Sequence, residues 1–130
     1  MRERVSASID GRLELLDRHS EAWLAALEMT GSGGDPQLAR VLDDARERAV
    51  DRINEVVGMT TLAAEHPEVN AVLRGYSGMA ESISREWLRR GRLTRRQAYL
   101  LLEEALLHII STALPQVIAN QDEKAPNPGR

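Results

Sequence analysis

The feature that most constrains this chain is a helix with more apolar surface than one core can cover. From Arg95 to about Val117, Ala98, Tyr99, Leu102, Leu106, Ile109, Ile110, Ala113 and Val117 form one stripe at three- and four-residue spacing. Beside it Leu100, Leu107 and Leu114 recur every seven residues, with Ile118 continuing the line. A helix with two apolar stripes needs two partners. One is the preceding segment, Pro67 to Arg90, where Val69, Val72, Leu73, Tyr76, Met79, Ala80, Ile83 and Trp87 share a face opposite Arg74, Glu81, Arg85 and Arg89. Gly91 closes that helix and Thr94 is suited to cap the next, so the two form an antiparallel hairpin. The second partner follows from a band of small residues off the main apolar face, Ala71, Gly75, Gly78 and Ser82, where another backbone can approach closely. A neighbour within the chain would satisfy it; a second copy is the favoured expectation, with Leu100, Leu107, Leu114 and Ile118 completing the interface of a homodimer.

The rest of the chain also reads as helix, and no stretch alternates with the two-residue period of a strand. Val5, Ile9, Leu13 and Leu16 share one face of a segment from Arg2 to about Arg18, with Gly11 marking a bend or a close contact. Ser20 is placed to cap a short second helix with Trp23, Leu24 and Leu27 turned inward. Thr30 to Gly34 reads as a flexible loop; it lacks the lysine of a phosphate-binding loop. Asp35 and Pro36 then announce a helix with Leu38, Leu42, Ala45, Ala49, Ile53 and Val56 on one face, and Gly58 ends it. Met59 to His66 reads as a loop with one helical turn. The expected fold is therefore all-α, an antiparallel bundle of about five helices spanning residues 1–120, followed by a disordered tail at 121–130.

Function classes can be narrowed from the residues. Without cysteine there is no disulfide or thiol chemistry, and a net charge of −3 gives no general attraction to nucleic acid. No apolar run approaches the roughly 18 residues of a membrane span, and the arginine-rich start leads into an amphipathic pattern, so no membrane partner and a cytoplasmic location are expected. Ser77 follows Gly75-Tyr76, but Met79 stands where a hydrolase elbow needs glycine, and the serine lies within a helix. His19, His66 and His108 sit on separate elements without ligand spacing. No catalytic residue, metal site or cofactor is expected, and the chain is not expected to be an enzyme. The arginines Arg85, Arg89, Arg90, Arg92, Arg95 and Arg96 crowd one turn, where a solvated ion-pair network with Glu81 and Glu86 is expected.

The run Val72-Leu73-Arg74-Gly75-Tyr76, then Arg85 through Thr94 with Trp87 and Gly91, then an all-apolar helix, resembles the last two long helices of the C-terminal domain of TetR-family transcriptional regulators. The resemblance is carried by the last half of the chain. It implies that the hairpin builds a four-helix dimer interface, and that a small-molecule effector binds among the helices carrying Trp23 and Ile53. Trp23, Leu27, Ile53, Tyr76, Met79 and Ile83 are the residues expected to line such a pocket, whose apolar character favours an apolar organic molecule. Regulators of this family read DNA with an N-terminal helix-turn-helix. Here Ala7 and Gly11 lead to Asp17, and Ala71 and Gly75 lead to Glu81, where that motif needs branched apolar residues. No DNA-binding residue is therefore expected in this chain, and DNA contact would need an absent N-terminal segment. The expected role is the effector-sensing and dimerisation domain of a repressor. The alternative is a structural helical dimer or interaction module with a fully packed core.

Overall fold

A computed structural model describes residues 1–31 and 35–122. Among these the secondary structure is helical: α1 (Arg2–Arg18), α2 (Ser20–Gly31), α3 (Pro36–Val57), α4 (Thr60–Glu65), α5 (Pro67–Leu88), α6 (Arg95–His108), a π-helical turn (Ile109–Ala113) and α7 (Leu114–Asp122). The all-α bundle read from the periodicities is the fold, with the short turn before Pro67 formed as α4. The two residues after Asn120 complete α7; the expected disordered tail otherwise lies outside the described residues. So does most of the expected glycine-rich loop, whose first two residues instead end α2.

Helix boundaries follow local chemistry. Asp35 accepts a hydrogen bond from the Gln37 amide at 2.9 Å, and Pro36 occupies the first helical position, where its missing amide costs nothing. Gly58 closes α3 at φ 73°, and Gly91 turns the chain after α5 at φ 65°, a left-handed conformation that glycine adopts without penalty. Thr94 and Gln97 form a reciprocal capping box at the head of α6. Ser20 is not a cap: the Trp23 amide bonds the carbonyl of His19, which makes Ser20 the first residue of α2. Gly11 lies exposed within an uninterrupted α1, with nothing near the position of an added Cβ.

One contiguous core joins Val5, Ile9 and Leu13 of α1, Val50 and Val57 of α3, Val69, Leu73 and Tyr76 of α5, and Leu102, Leu106 and Leu114 of the last helices. Leu13, Leu73 and Leu114 are almost fully buried, each contributing about 1.5–3 kcal/mol of transfer free energy. Ion pairs tie the helices together outside this core. Arg46 grips Glu81 between α3 and α5 at 2.7 Å, Arg74 holds Asp43 and Glu47 across the same pair, and Arg2 reaches Glu103 from α1 at 3.1 Å.

The last helix departs from the sequence reading at one place. The amide of Leu114 donates to the carbonyl of Ile109, five residues back, so the turn holds one residue more than an α turn. Pro115 has no amide to continue the α ladder, and its ring would crowd the carbonyl four residues before it; the wider turn lies immediately ahead. The extra residue rotates everything downstream by roughly 100°. Leu114 therefore turns into the monomer's core at 1% exposure, while Val117 turns out to 39%. These positions exchange the roles expected from an unbroken helix. Together α6, the π turn and α7 also give a stretch, Arg95–Asn120, long and apolar enough by length and composition to cross a membrane, contrary to expectation, with 22% of its most apolar window buried.

Candidate functional site

A half-open cavity of about 450 Å³ lies among α1, α2, α3 and α5, within the range of pockets that take small organic ligands. Its apolar walls come from Val5, Ile9 and Leu13 on α1 and from Leu42 and Ile53 on α3, with Leu102 and Leu106 of α6 beneath. Trp23 and Leu27 of α2 close one end. The space stays open because the facing sides of α3 and α5 carry small residues, Ala45 and Ala49 against Ser77, Ala80 and Ser84. Larger side chains there would fill it.

Tyr76 gives the cavity its ring and not its hydroxyl. The phenol donates to the carbonyl of Leu102 at 2.7 Å, and burial pushes its pKa upward, so it stays a neutral donor. Ser84 likewise donates to the carbonyl of Ala80 at 2.8 Å. Ser8 and Ser77 line the cavity with hydroxyls that have no partner among the described residues. Arg46 also faces the cavity, but its guanidinium is neutralised by Glu81 through bonds of 2.7 and 2.8 Å.

Of the six residues expected to line a pocket, Trp23, Leu27, Ile53 and Tyr76 do. Met79 and Ile83 do not. The cavity side of α5 runs through Ser77, Ala80, Glu81 and Ser84, whereas Met79 and Ile83 lie on the other side of Tyr76, and Ile83 packs against the core. Apolar periodicity placed Ala45, Ala49 and Ala80 on inward faces but overlooked Ser77 and Ser84, and it gave no weight to the small volume of these residues, which is what makes the cavity.

The expected interface residues divide. Ala71, Gly75, Gly78 and Ser82 are exposed on the side of α5 facing away from the core, and an added Cβ at either glycine meets nothing within 4 Å. Leu100 is exposed, Leu107 and Ile118 are half-buried against the core, and Leu114 leaves the surface altogether. The outward apolar face instead includes Leu101 at 44% and Val117 at 39% exposure.

Arg89, Arg90, Arg92 and Arg95 around the α5–α6 turn are spent on ion pairs. Arg90 and Arg92 both hold Glu86 at 2.6 Å, and these two arginines, Arg92 foremost, lower its carboxyl pKa to about 2. Arg89 pairs with Glu28, Arg95 reaches Asp10 at 3.0 Å, and Arg96 lies over the Tyr99 ring. The expected network is present in part: Glu81 serves Arg46, Arg85 donates to the Ser82 hydroxyl at 3.3 Å, and Arg96 has no carboxylate partner among the described residues. Glu103, inside α6, collects bonds from Ser6, Tyr99 and Arg2, of which Ser6 does most to lower its pKa.

The family description "Tetracyclin repressor-like, C-terminal domain" matches residues 1–109, so the likeness extends over the first half of the chain as well as the hairpin and stops where the π turn begins. No curated protein and no solved structure matches the chain. With α1 to α6 inside that match and arranged as an all-helical bundle around a cavity, the chain belongs to the TetR-like C-terminal domain family.

Proposed function

We propose that this domain binds a small, largely apolar effector in the cavity and dimerises through α5 and the last helices, as the regulatory part of a TetR-like repressor. The observation that carries the proposal is the cavity itself: a bundle serving only as a scaffold gains by filling about 450 Å³ of apolar space, and the alanines and serines of α3 and α5 leave it open. The family is regulatory and not enzymatic, and its members commonly dimerise and bind small molecules. A catalytic role has no support in the cavity, where among the described residues no nucleophile is paired with a base. A cytoplasmic location fits the family.

The regulatory step is differential binding. A ligand wedged between α1, α3 and α5 shifts the domain only to the extent that it prefers one helix arrangement over another. Where DNA-reading heads accompany such a pair of domains, that preference changes their separation.

Ala80→Trp tests the cavity. Filling it should abolish ligand-induced quenching of Trp23 while leaving the melting temperature near that of the unmodified chain. If the space were packed in solution, the same change would cost about 1–3 kcal/mol through overpacking, and the melting temperature would fall. That outcome would favour the scaffold alternative.

A further inference from the structure

The cavity's charged groups are not balanced. Four arginines line it, Arg12, Arg46, Arg48 and Arg52, against one carboxylate, Glu81, in a chain whose net charge is −3. Glu81 is already spent on Arg46 in a half-buried pair between α3 and α5. That leaves three guanidinium groups at the mouth. Among the described residues Arg12 and Arg48 form no ion pair, and Arg52 reaches only Glu55, at 3.9 Å.

The separation of charge is built into α3. On its α5 side Asp43 and Glu47 are consumed by Arg74. On its α1 side Arg48 and Arg52 stand one helical turn apart, facing Arg12 and the unpartnered Ser8 of α1. Asp44, Asp51 and Glu55 are exposed and do not line the cavity. Arginine cannot shed its proton to relieve such crowding, and its planar fork matches a carboxylate or phosphate with two parallel bonds.

From this juxtaposition we infer that the effector is an anionic amphiphile: an apolar body seated against Ile9, Leu13, Ile53 and Tyr76, and a carboxylate or phosphate held at the mouth by Arg12, Arg48 and Arg52. This rests on the cavity being the effector site, and it adds the head group. The apolar floor supplies affinity for the body. The arginines select against neutral and cationic molecules of the same shape, because only an anion offsets their mutual repulsion.

The test compares three probes with one tail, decanoate, decanol and decyltrimethylammonium, titrated below their micelle thresholds into the purified chain. Quenching of Trp23 is the readout, in a Trp87→Phe background, since Trp23 lines the cavity and Trp87 does not. Decanoate should bind more tightly than decanol by roughly tenfold at low salt, the scale for an anion meeting solvent-screened guanidinium groups, and the gap should shrink as salt rises. Arg48→Gln with Arg52→Gln should erase the gap without changing the affinity for decanol, and Arg48→Glu with Arg52→Glu should turn the preference toward decyltrimethylammonium. Arg40→Gln, on the same helix but outside the cavity, should change nothing. Equal binding of decanoate and decanol would overturn the head-group inference while leaving the cavity as the effector site. Failure of all three probes to quench Trp23 in a folded chain would overturn both.

Discussion

Replacing Gly75 and Gly78 together with alanine separates a free helix face from a subunit interface by the sign of the effect. Both glycines lie inside α5 with ordinary helical backbone, and an added Cβ at either meets nothing within 4 Å. In an isolated domain each substitution should therefore stabilise by about 0.8–1.0 kcal/mol, the full difference in helix propensity, or about 2 kcal/mol for the pair. At roughly 2–8 °C per kcal/mol for domains bracketing this size, the melting temperature should rise clearly. Gly11→Ala calibrates the scale, because Gly11 is also exposed, helical and open. If a partner helix packs on the band formed with Ala71 and Ser82, two methyl groups per subunit push the backbones apart and the sign reverses. The expected result is weaker self-association in sedimentation equilibrium, and a melting temperature that falls and depends more steeply on protein concentration. A double variant that gains twice the Gly11→Ala increment with unchanged sedimentation would refute the proposed interface.

Leu107→Glu should shift the proposed dimer toward monomer, measured by sedimentation at micromolar concentration. Leu114→Ala should cost about 2–5 kcal/mol in urea unfolding because it opens a hole in the core, whereas Leu101→Ala, on the outward face, should stay within about 0.5 kcal/mol in the monomer. Glu86 is held well below its ordinary pKa of 4.5, at about 2, so its contribution to stability is fully present above pH 4.5 and is lost as pH falls toward 2. Stability measured across that window should decline less in Glu86→Gln than in the unmodified chain. Tyr76→Phe removes the hydroxyl that donates to Leu102 and should destabilise by about 0.5–1.5 kcal/mol, checked by thermal melting. The Tyr76 phenol titrates above the ordinary value of 10.0, so its contribution is complete below pH 10.0 and lost at higher pH; the phenylalanine variant should lack that alkaline loss.

Several features were decided locally and could be read from the residues alone. Asp35 before Pro36, Gly58, Gly91 and Thr94 each set a helix end through backbone geometry or a bond spanning a few residues. The inward faces of α1 and α5 follow the helical period, so Val5, Leu13, Val69 and Leu73 belong to the core on spacing alone, whereas on α3 the buried Val50 and Val57 lie beside the stripe of Leu42, Ala49, Ile53 and Val56 that the spacing marked. The surplus of apolar residues in the last helix is equally plain in the sequence.

Which of those apolar residues faces inward was a different matter. The π turn at Ile109–Ala113 rotates the following helix, so Leu114 and Val117 trade places. The sequence reading ran the helix unbroken through Pro115, and a missing amide does not by itself say whether the chain will kink, stop or widen by one residue; packing of α7 against the rest of the bundle selects among them. The cavity was likewise invisible to periodicity. It arises where Ala45 and Ala49 meet Ser77, Ala80 and Ser84, residues from two helices whose modest volumes matter only once the helices face each other. Met79 and Ile83 shared the right stripe with Tyr76 yet fell on the wrong side of it, because a stripe spans more of the helix circumference than one cavity does. Side-chain identity and period determine which residues leave water. Where the packed helices leave a gap, and which arginines stand unpaired around it, depends on the angles and offsets between elements, which only the tertiary structure decides.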